Sequence, residues 1–187
     1  MIFCNDRPVC RPRIENPLYM KQTRKRLRLK GFDYSENGYY FVTACVDKKI
    51  EYFWNPICRG GFTTLPKPQL NQFGKIVKDC WIDLPNHYPN CALDEFVVMP
   101  NHIHGIVVIN NTRAGYKPAP TEYAISEIMR GFKTFSSKKI NLLPHSFMFK
   151  WQRSYYDHII RSDNEFFAIK QYILDNPTNW DEDEYHQ

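Results

Sequence analysis

The sequence predicts an α+β fold, an antiparallel sheet with helices packed on it, from three observations. Aromatic and β-branched residues form short strand-like runs, YYFVTACV at 39–46, ALDEFVVM at 92–99 and HIHGIVVI at 102–109. Between and after these runs, apolar residues recur at helical spacing. Two of the runs are separated by little more than Pro100-Asn101, which suits a hairpin. Strands and helices mixed in this order make a layered sheet-and-helix domain.

Taken in order, Gly38 is a turn signal before the first strand. Residues 55–69 contain Gly60, Gly61, Pro66 and Pro68 and read as a loop, with room for a short hairpin. Leu70, Phe73, Val77, Trp81 and Leu84 trace one face of a helix, which Pro85 is expected to stop. A polar linker spans 110–121. Ile125, Ile128, Met129, Phe132 and Phe135 mark a second amphipathic helix, decorated by Lys133, Lys138 and Lys139. WQRSYYDHII at 151–160 reads as a fourth strand. Ser162 and Glu165 have capping-box spacing and open a last helix, with Phe166, Ile169 and Ile173 on one face. Asn176-Pro177 is expected to end it, because a residue before proline is pushed out of the helical region.

The 187 residues, 43% apolar and 24% charged, suffice for one domain with its own core. Residues 1–30 are expected to be a basic N-terminal arm, and 31–187 the domain proper. The net charge of +5 is concentrated in that arm, where eight cations between Arg11 and Lys30 face Glu15 alone. Such a run suits phosphates, although a merely solvated arm has the same composition. Aromatic residues, at 16%, either fill a core or offer faces to unpaired bases. No apolar run reaches the ~18 residues of a membrane span. The N-terminus lacks the apolar stretch of a signal peptide. The six cysteines form no CxxC pair and are expected to be reduced thiols in a cytoplasmic protein. No phosphate-binding or dinucleotide-binding glycine motif is present, which argues against ATP- or NAD-dependent chemistry.

The chemistry concentrates in FVVMPNHIHGIVVI. A strand's period of two puts His102 and His104 on one face, where two neutral imidazoles can share a divalent cation. Two ordinary histidines remain the plain alternative, but an unpaired imidazole in an apolar strand is costly. On the last helix Tyr172 and Asn176 are four residues apart and share a face. An amide oxygen there can complete a metal site and a hydroxyl can attack an electrophile. By spacing alone, a tyrosine beside an apolar stripe is ordinarily core.

VVMPNHIHGIVVI resembles the metal-binding strand of the HUH single-strand DNA transposases, in which two histidines flank a hydrophobic residue. WQRSYYDHIIRSDNEFFAIKQYILDNPTNW is similar to the C-terminal part of the REP-associated tyrosine transposases and their insertion-sequence relatives. In that group a Trp-Gln segment leads into a helix carrying a nucleophile in a Tyr-Ile-x-x-Asn-Pro pattern. RLKGFDYSENGYYFVTACV and MRGFKTFSSKKIN are similar to further segments, so the resemblance runs from about Arg26 to Trp180. It implies a ferredoxin-like fold and an HUH-type catalytic domain over 31–187. His102, His104 and Asn176 would be metal ligands, Tyr172 the nucleophile, and Mg²⁺ or Mn²⁺ the cofactor. The implied enzyme is a one-tyrosine transposase that nicks and rejoins single-stranded or hairpin DNA through a 5′-phosphotyrosine, as a monomer or homodimer.

Arg24, Lys25, Arg26, Arg28, Lys133, Trp151 and Gln152 are candidate DNA contacts, although Trp151 and Gln152 also suit packing. Tyr155 and Tyr156 would face opposite ways on the fourth strand, so at most one reaches the site. His158 reads as structural. Asp94 and Glu95 suit either a ligand-orienting role or a plain surface. Two rival functions remain: a domesticated hairpin-binding protein without cleavage, and a metal-dependent hydrolase with a water nucleophile.

Overall fold

The computed structural model describes residues 33–55, 69–111 and 123–186. The arm with Arg24, Lys25, Arg26 and Arg28, most of the 55–69 loop and nearly all of the 110–121 linker lie outside the described residues. Among the described residues there are four strands, β1 (Gly38–Cys45), β2 (Cys91–Val98), β3 (His102–Ile109) and β4 (Tyr156–Ile160), and four α-helices, α1 (Gln72–Ile82), the short α2 (Leu84–His87), α3 (Ile125–Asn141) and α4 (Asp163–Asp175). The strand order is β2-β3-β1-β4, and every neighbouring pair is antiparallel. With β1-α1-β2-β3-α3-β4 as the chain order, this is the expected ferredoxin-like α+β fold.

The two sheet faces do different work. Tyr40, Val42 and Ala44 of β1 and Ile103, Val107 and Ile109 of β3 join Val77 and Trp81 of α1 and Ile128 and Phe132 of α3 in the large core. On the opposite face Phe41, Ile106 and Ile160 meet Ile169 and Ile173 of α4 in a smaller cluster. Because the central strands are covered on both sides, their sequences are apolar almost throughout rather than alternating.

Gly105 is needed for close approach between these layers. A Cβ there would meet the ring of the fully buried Trp81 far inside contact distance, and would lie 3.1 Å from the Phe96 Cβ. Gly105→Ala is therefore expected to cost about 1–3 kcal/mol through overpacking. Thermal denaturation checks this, and an unchanged Tm would mean the indole can move aside.

Several boundaries differ from expectation. Pro85 does not simply stop α1. The helix closes at Asp83, and Pro85 sits in the first turn of α2, where its missing N–H costs nothing. The fourth strand covers 156–160 rather than 151–160: Trp151 makes only an isolated bridge to Val46, and Tyr155 lies off the strand. Asn176 keeps helical angles (φ −55°, ψ −43°) despite preceding proline, and the chain then tightens into a 3-10 segment, Asn176–Glu182. Among the described residues no helix is long and apolar enough to cross a membrane. Cys45, Cys80 and Cys91 are buried and free, while Cys4, Cys10 and Cys58 lie outside the described residues.

Candidate active site

The β3 pleat aims His102 and His104 at the α4 side of the sheet, where they are 0% and 1% exposed. Their Nε2 atoms are 2.9 Å apart. Each ring is fixed through its other nitrogen. His102 Nδ1 lies 2.8 Å from Asn101 Oδ1. The Asn101 Nδ2 is already spent on the Lys49 and Tyr185 carbonyls, at 3.0 and 2.9 Å. His102 must therefore donate from Nδ1, which leaves an Nε2 lone pair facing the site. His104 Nδ1 lies 2.8 Å from Thr43 Oγ1, its cross-strand partner on β1. Burial holds both imidazoles neutral: it lowers the His104 pKa to about 3 and, reinforced by His104 and Lys49, takes His102 well below its usual range. Neutral, oriented imidazoles whose Nε2 atoms converge in this way are what a divalent cation requires.

The helix α4 brings the second half of the site. Ser162 Oγ accepts from Glu165 N at 3.3 Å, and the Glu165 carboxylate reaches back to Arg161 N at 2.8 Å and His158 Nε2 at 2.6 Å. His158 is thereby structural, as expected. Ile169 and Ile173 bury one face of α4, and that packing sets the rotation of the helix so that the Tyr172 hydroxyl lies 3.3 Å from His104 Nε2. Its ring stands edge-on to Phe41, 6.1 Å between centroids. Burial raises the Tyr172 pKa, helped by the charges of Asp183 and Glu184 and opposed by a hydrogen bond from Asn176.

The helical angles of Asn176 keep it one turn beyond Tyr172, whose carbonyl accepts its backbone N–H. Its side chain favours the charged forms of Tyr172 and Asp183, and its buried Oδ1 has no hydrogen-bond partner. An orphaned buried oxygen of this kind is costly unless something else satisfies it. Asp183 is a residue that sequence reasoning missed: its carboxylate and the two histidine nitrogens lie within 4.8 Å of one another. Burial raises the Asp183 pKa, while the Tyr185 backbone N–H and Asn176 work against that. Imidazole nitrogens, a carboxylate and an unsatisfied amide oxygen form a donor set that fits Mg²⁺, Mn²⁺ or Zn²⁺.

The remaining candidates fall elsewhere. Asp94 pairs with Lys170 on α4 at 2.7 Å, and the histidine Nδ1 positions are taken by Asn101 and Thr43, so of the two readings of Asp94 the orienting one falls away. Neither Asn101 nor Thr43 carried a sequence signal beyond lying beside the histidines: Thr43 by register, Asn101 by adjacency. Tyr156 is half-buried against Phe41 in the smaller cluster. Lys133, Trp151 and Gln152 come together on a different surface, an open groove of about 660 Å³ between α3 and 148–155 that Arg130, Lys150 and Arg153 also line. The Trp151 indole is core, 8% exposed, with Nε1 donating to Ser136 Oγ at 2.9 Å. Lys133 Nζ donates to the Gln152 and Arg153 carbonyls and so holds that loop in place.

No family model matches the chain. A Haemophilus influenzae protein described as uncharacterized is 34% identical over 179 residues, spanning 87% of this chain and 93% of its own. A REP-associated tyrosine transposase, solved bound to a REP hairpin, matches with a TM-score of 0.51 at 17% identity, over 86% of this chain and 74% of that one. A candidate transposase from Deinococcus radiodurans R1 matches at 17% identity with a TM-score of 0.44, over 83% and 97%. The chain thus belongs to one family with the Haemophilus protein, and its fold is like that of the solved REP-associated tyrosine transposase.

Proposed function

We propose that this protein is a transposase that nicks and rejoins single-stranded or hairpin DNA through Tyr172. The observation that carries the reading is the Tyr172 hydroxyl 3.3 Å from the Nε2 of one buried histidine, itself 2.9 Å from the Nε2 of the other. His102, His104 and Asn176 would hold a divalent cation, Mg²⁺ or Mn²⁺. When bound, such a cation supplies positive charge at the attacked phosphate, worth several kcal/mol. The chain's own groups do the rest. Asn101 and Thr43 hold the imidazoles in place, and Asn176 supports the Tyr172 oxygen as it gains charge. That oxygen bonds to phosphorus and loses its proton, the P–O3′ bond breaks, and the departing 3′ oxygen takes up a proton. The phosphotyrosine keeps the phosphodiester energy, so a second 3′ hydroxyl can reverse the step without ATP.

The DNA path is proposed to include the α3 groove. Arg130, Lys150 and Arg153 are exposed there and suit backbone phosphates, as does the basic arm. The solved transposase neighbour was bound to a REP hairpin, which supports a hairpin as the substrate class.

The test uses hairpin oligonucleotides labelled at either end, with Mg²⁺ or Mn²⁺. A denaturation-resistant adduct is expected with the 3′-labelled strand only, together with a free 3′ hydroxyl on the upstream fragment. Tight hairpin binding with no adduct would favour a binding protein. Cleavage without an adduct would favour a hydrolase.

A further inference from the structure

Polar contacts hold helix α4 on both flanks, and their role rests on Tyr172 as the nucleophile proposed above. In the order β2-β3-β1-β4, β2 and β4 are the edges of the described sheet. From β4, His158 Nε2 donates to the Glu165 carboxylate at 2.6 Å. From β2, Asp94 Oδ1 lies 2.7 Å from Lys170 Nζ. A β-bulge aims that carboxylate. Leu93 pairs with Val107 and Phe96 with Gly105, three steps along β2 against two along β3. Leu93 and Phe96 therefore both face the large core, and Asp94 between them turns to the α4 side. The same Oδ1 accepts the Glu95 N–H at 2.7 Å, which orients the carboxylate independently of Lys170. The Lys170 ammonium also stands 5.3 Å from the centre of the Phe166 ring, one turn back.

Ile169 and Ile173 decide which face of α4 is buried, but apolar packing is non-directional and tolerates a small roll. At about 100° per residue, Tyr172 lies about 60° to one side of Ile169 and Lys170 about 100° to the other. The hydroxyl and the ammonium thus sit on opposite flanks, and a roll that lifts one lowers the other. At the ~5–6 Å radius of a helix with its side chains, a roll of about 10° moves the hydroxyl by about 1 Å. A misplacement of about 1 Å can slow a reaction about 10²-fold. A partly exposed ion pair such as this one adds little to stability, so its effect falls on rate. We propose that the Lys170–Asp94 pair, opposite Glu165–His158, fixes the roll of α4 and with it the place of the Tyr172 hydroxyl. Lys170 and Asp94 are thereby positioning residues for strand cutting.

The test uses the full chain, Mn²⁺ and a labelled hairpin oligonucleotide at saturating concentration. Lys170→Met keeps the stem on Phe166 and removes the charge. It is expected to slow adduct formation about tenfold to a hundredfold, with hairpin affinity unchanged and Tm changed little. Lys170→Asp and Asp94→Lys should each be slow. Together they should recover the wild-type rate, because the pair re-forms with its charges exchanged. Gln171→Ala breaks a 2.9 Å bond to Asp175 on the outer face of the helix and should leave the rate unchanged. A second readout needs no cleavage: the fluorine resonance of a fluorotyrosine in place of Tyr172 should move or broaden in Lys170→Met and return in the charge-swapped double variant. A wild-type rate or an unchanged fluorine signal in Lys170→Met would overturn the pair as a positioning device, and so would a slow double variant. A slow rate matched by an equal loss of hairpin affinity would make Lys170 a DNA contact instead. An adduct absent from wild type, or one that survives Tyr172→Phe, would remove the nucleophile reading itself, and the fluorine signal would still decide what places the ring.

Discussion

Tyr172→Phe is expected to eliminate the covalent protein–DNA adduct while leaving hairpin binding near the wild-type level. The substitution removes one oxygen, 3.3 Å from His104 Nε2, and keeps the ring against Phe41. The loss of stability should be small, about 1 kcal/mol for the hydrogen bond with His104 Nε2. Denaturing gels of labelled oligonucleotide with each variant read the adduct, and a binding titration reads affinity. An adduct that survives in Tyr172→Phe but vanishes in Tyr156→Phe would move the nucleophile to β4. The structure makes that outcome unexpected, because Tyr156 lies against Phe41 whereas the Tyr172 hydroxyl is 3.3 Å from His104 Nε2.

Replacing either histidine should reduce nicking by about 10³-fold or more, the scale of several kcal/mol of charge stabilisation. From their shared strand face alone, His102→Ala and His104→Ala are expected to abolish metal-dependent cleavage with little loss of fold. Burial corrects that expectation. At 0% and 1% exposure each alanine leaves a cavity and strands a partner, Asn101 Oδ1 for His102 and Thr43 Oγ1 for His104. About 2–4 kcal/mol of stability should go with the activity. Glutamine variants, closer in volume, separate the two effects. Nicking in Mg²⁺ and in Mn²⁺, measured below the Tm of each variant, decides the matter: a folded His104→Gln protein that nicks at the wild-type rate would sink the site.

The parts of this architecture that the sequence made visible are those with a local cause. Strand and helix types follow from periodicity and β-branched runs, and the Ser162 cap follows from a hydrogen bond made within three residues. His102, His104, Tyr172 and Asn176 were each marked by short-range spacing, and the fold then sets the hydroxyl of one pair against the imidazole of the other. Asp183 is different. No spacing rule connects it to His104, and only the turn after the 3-10 segment carries its carboxylate to within 4.8 Å of the histidine nitrogens. Asn176 keeps the expected one-turn offset from Tyr172 because the backbone stays helical through it, although a residue before proline is expected to leave the helix. Trp151 shows the converse, an aromatic residue with a plausible surface use that tertiary packing claims for the core.

The division of the sheet into a large and a small core bears on how this protein can change. Most of the apolar burial that holds the sheet together lies on the α1–α3 side, whereas α4 is fastened through Phe41, Ile106, Ile160, Ile169 and Ile173. Opening of that helix is thus a local event, separable from global unfolding. Substitutions there can change how Tyr172 is presented, or unfasten it, without endangering the scaffold. Under the proposed function, a lineage could therefore lose strand cutting and keep hairpin recognition in very few mutational steps.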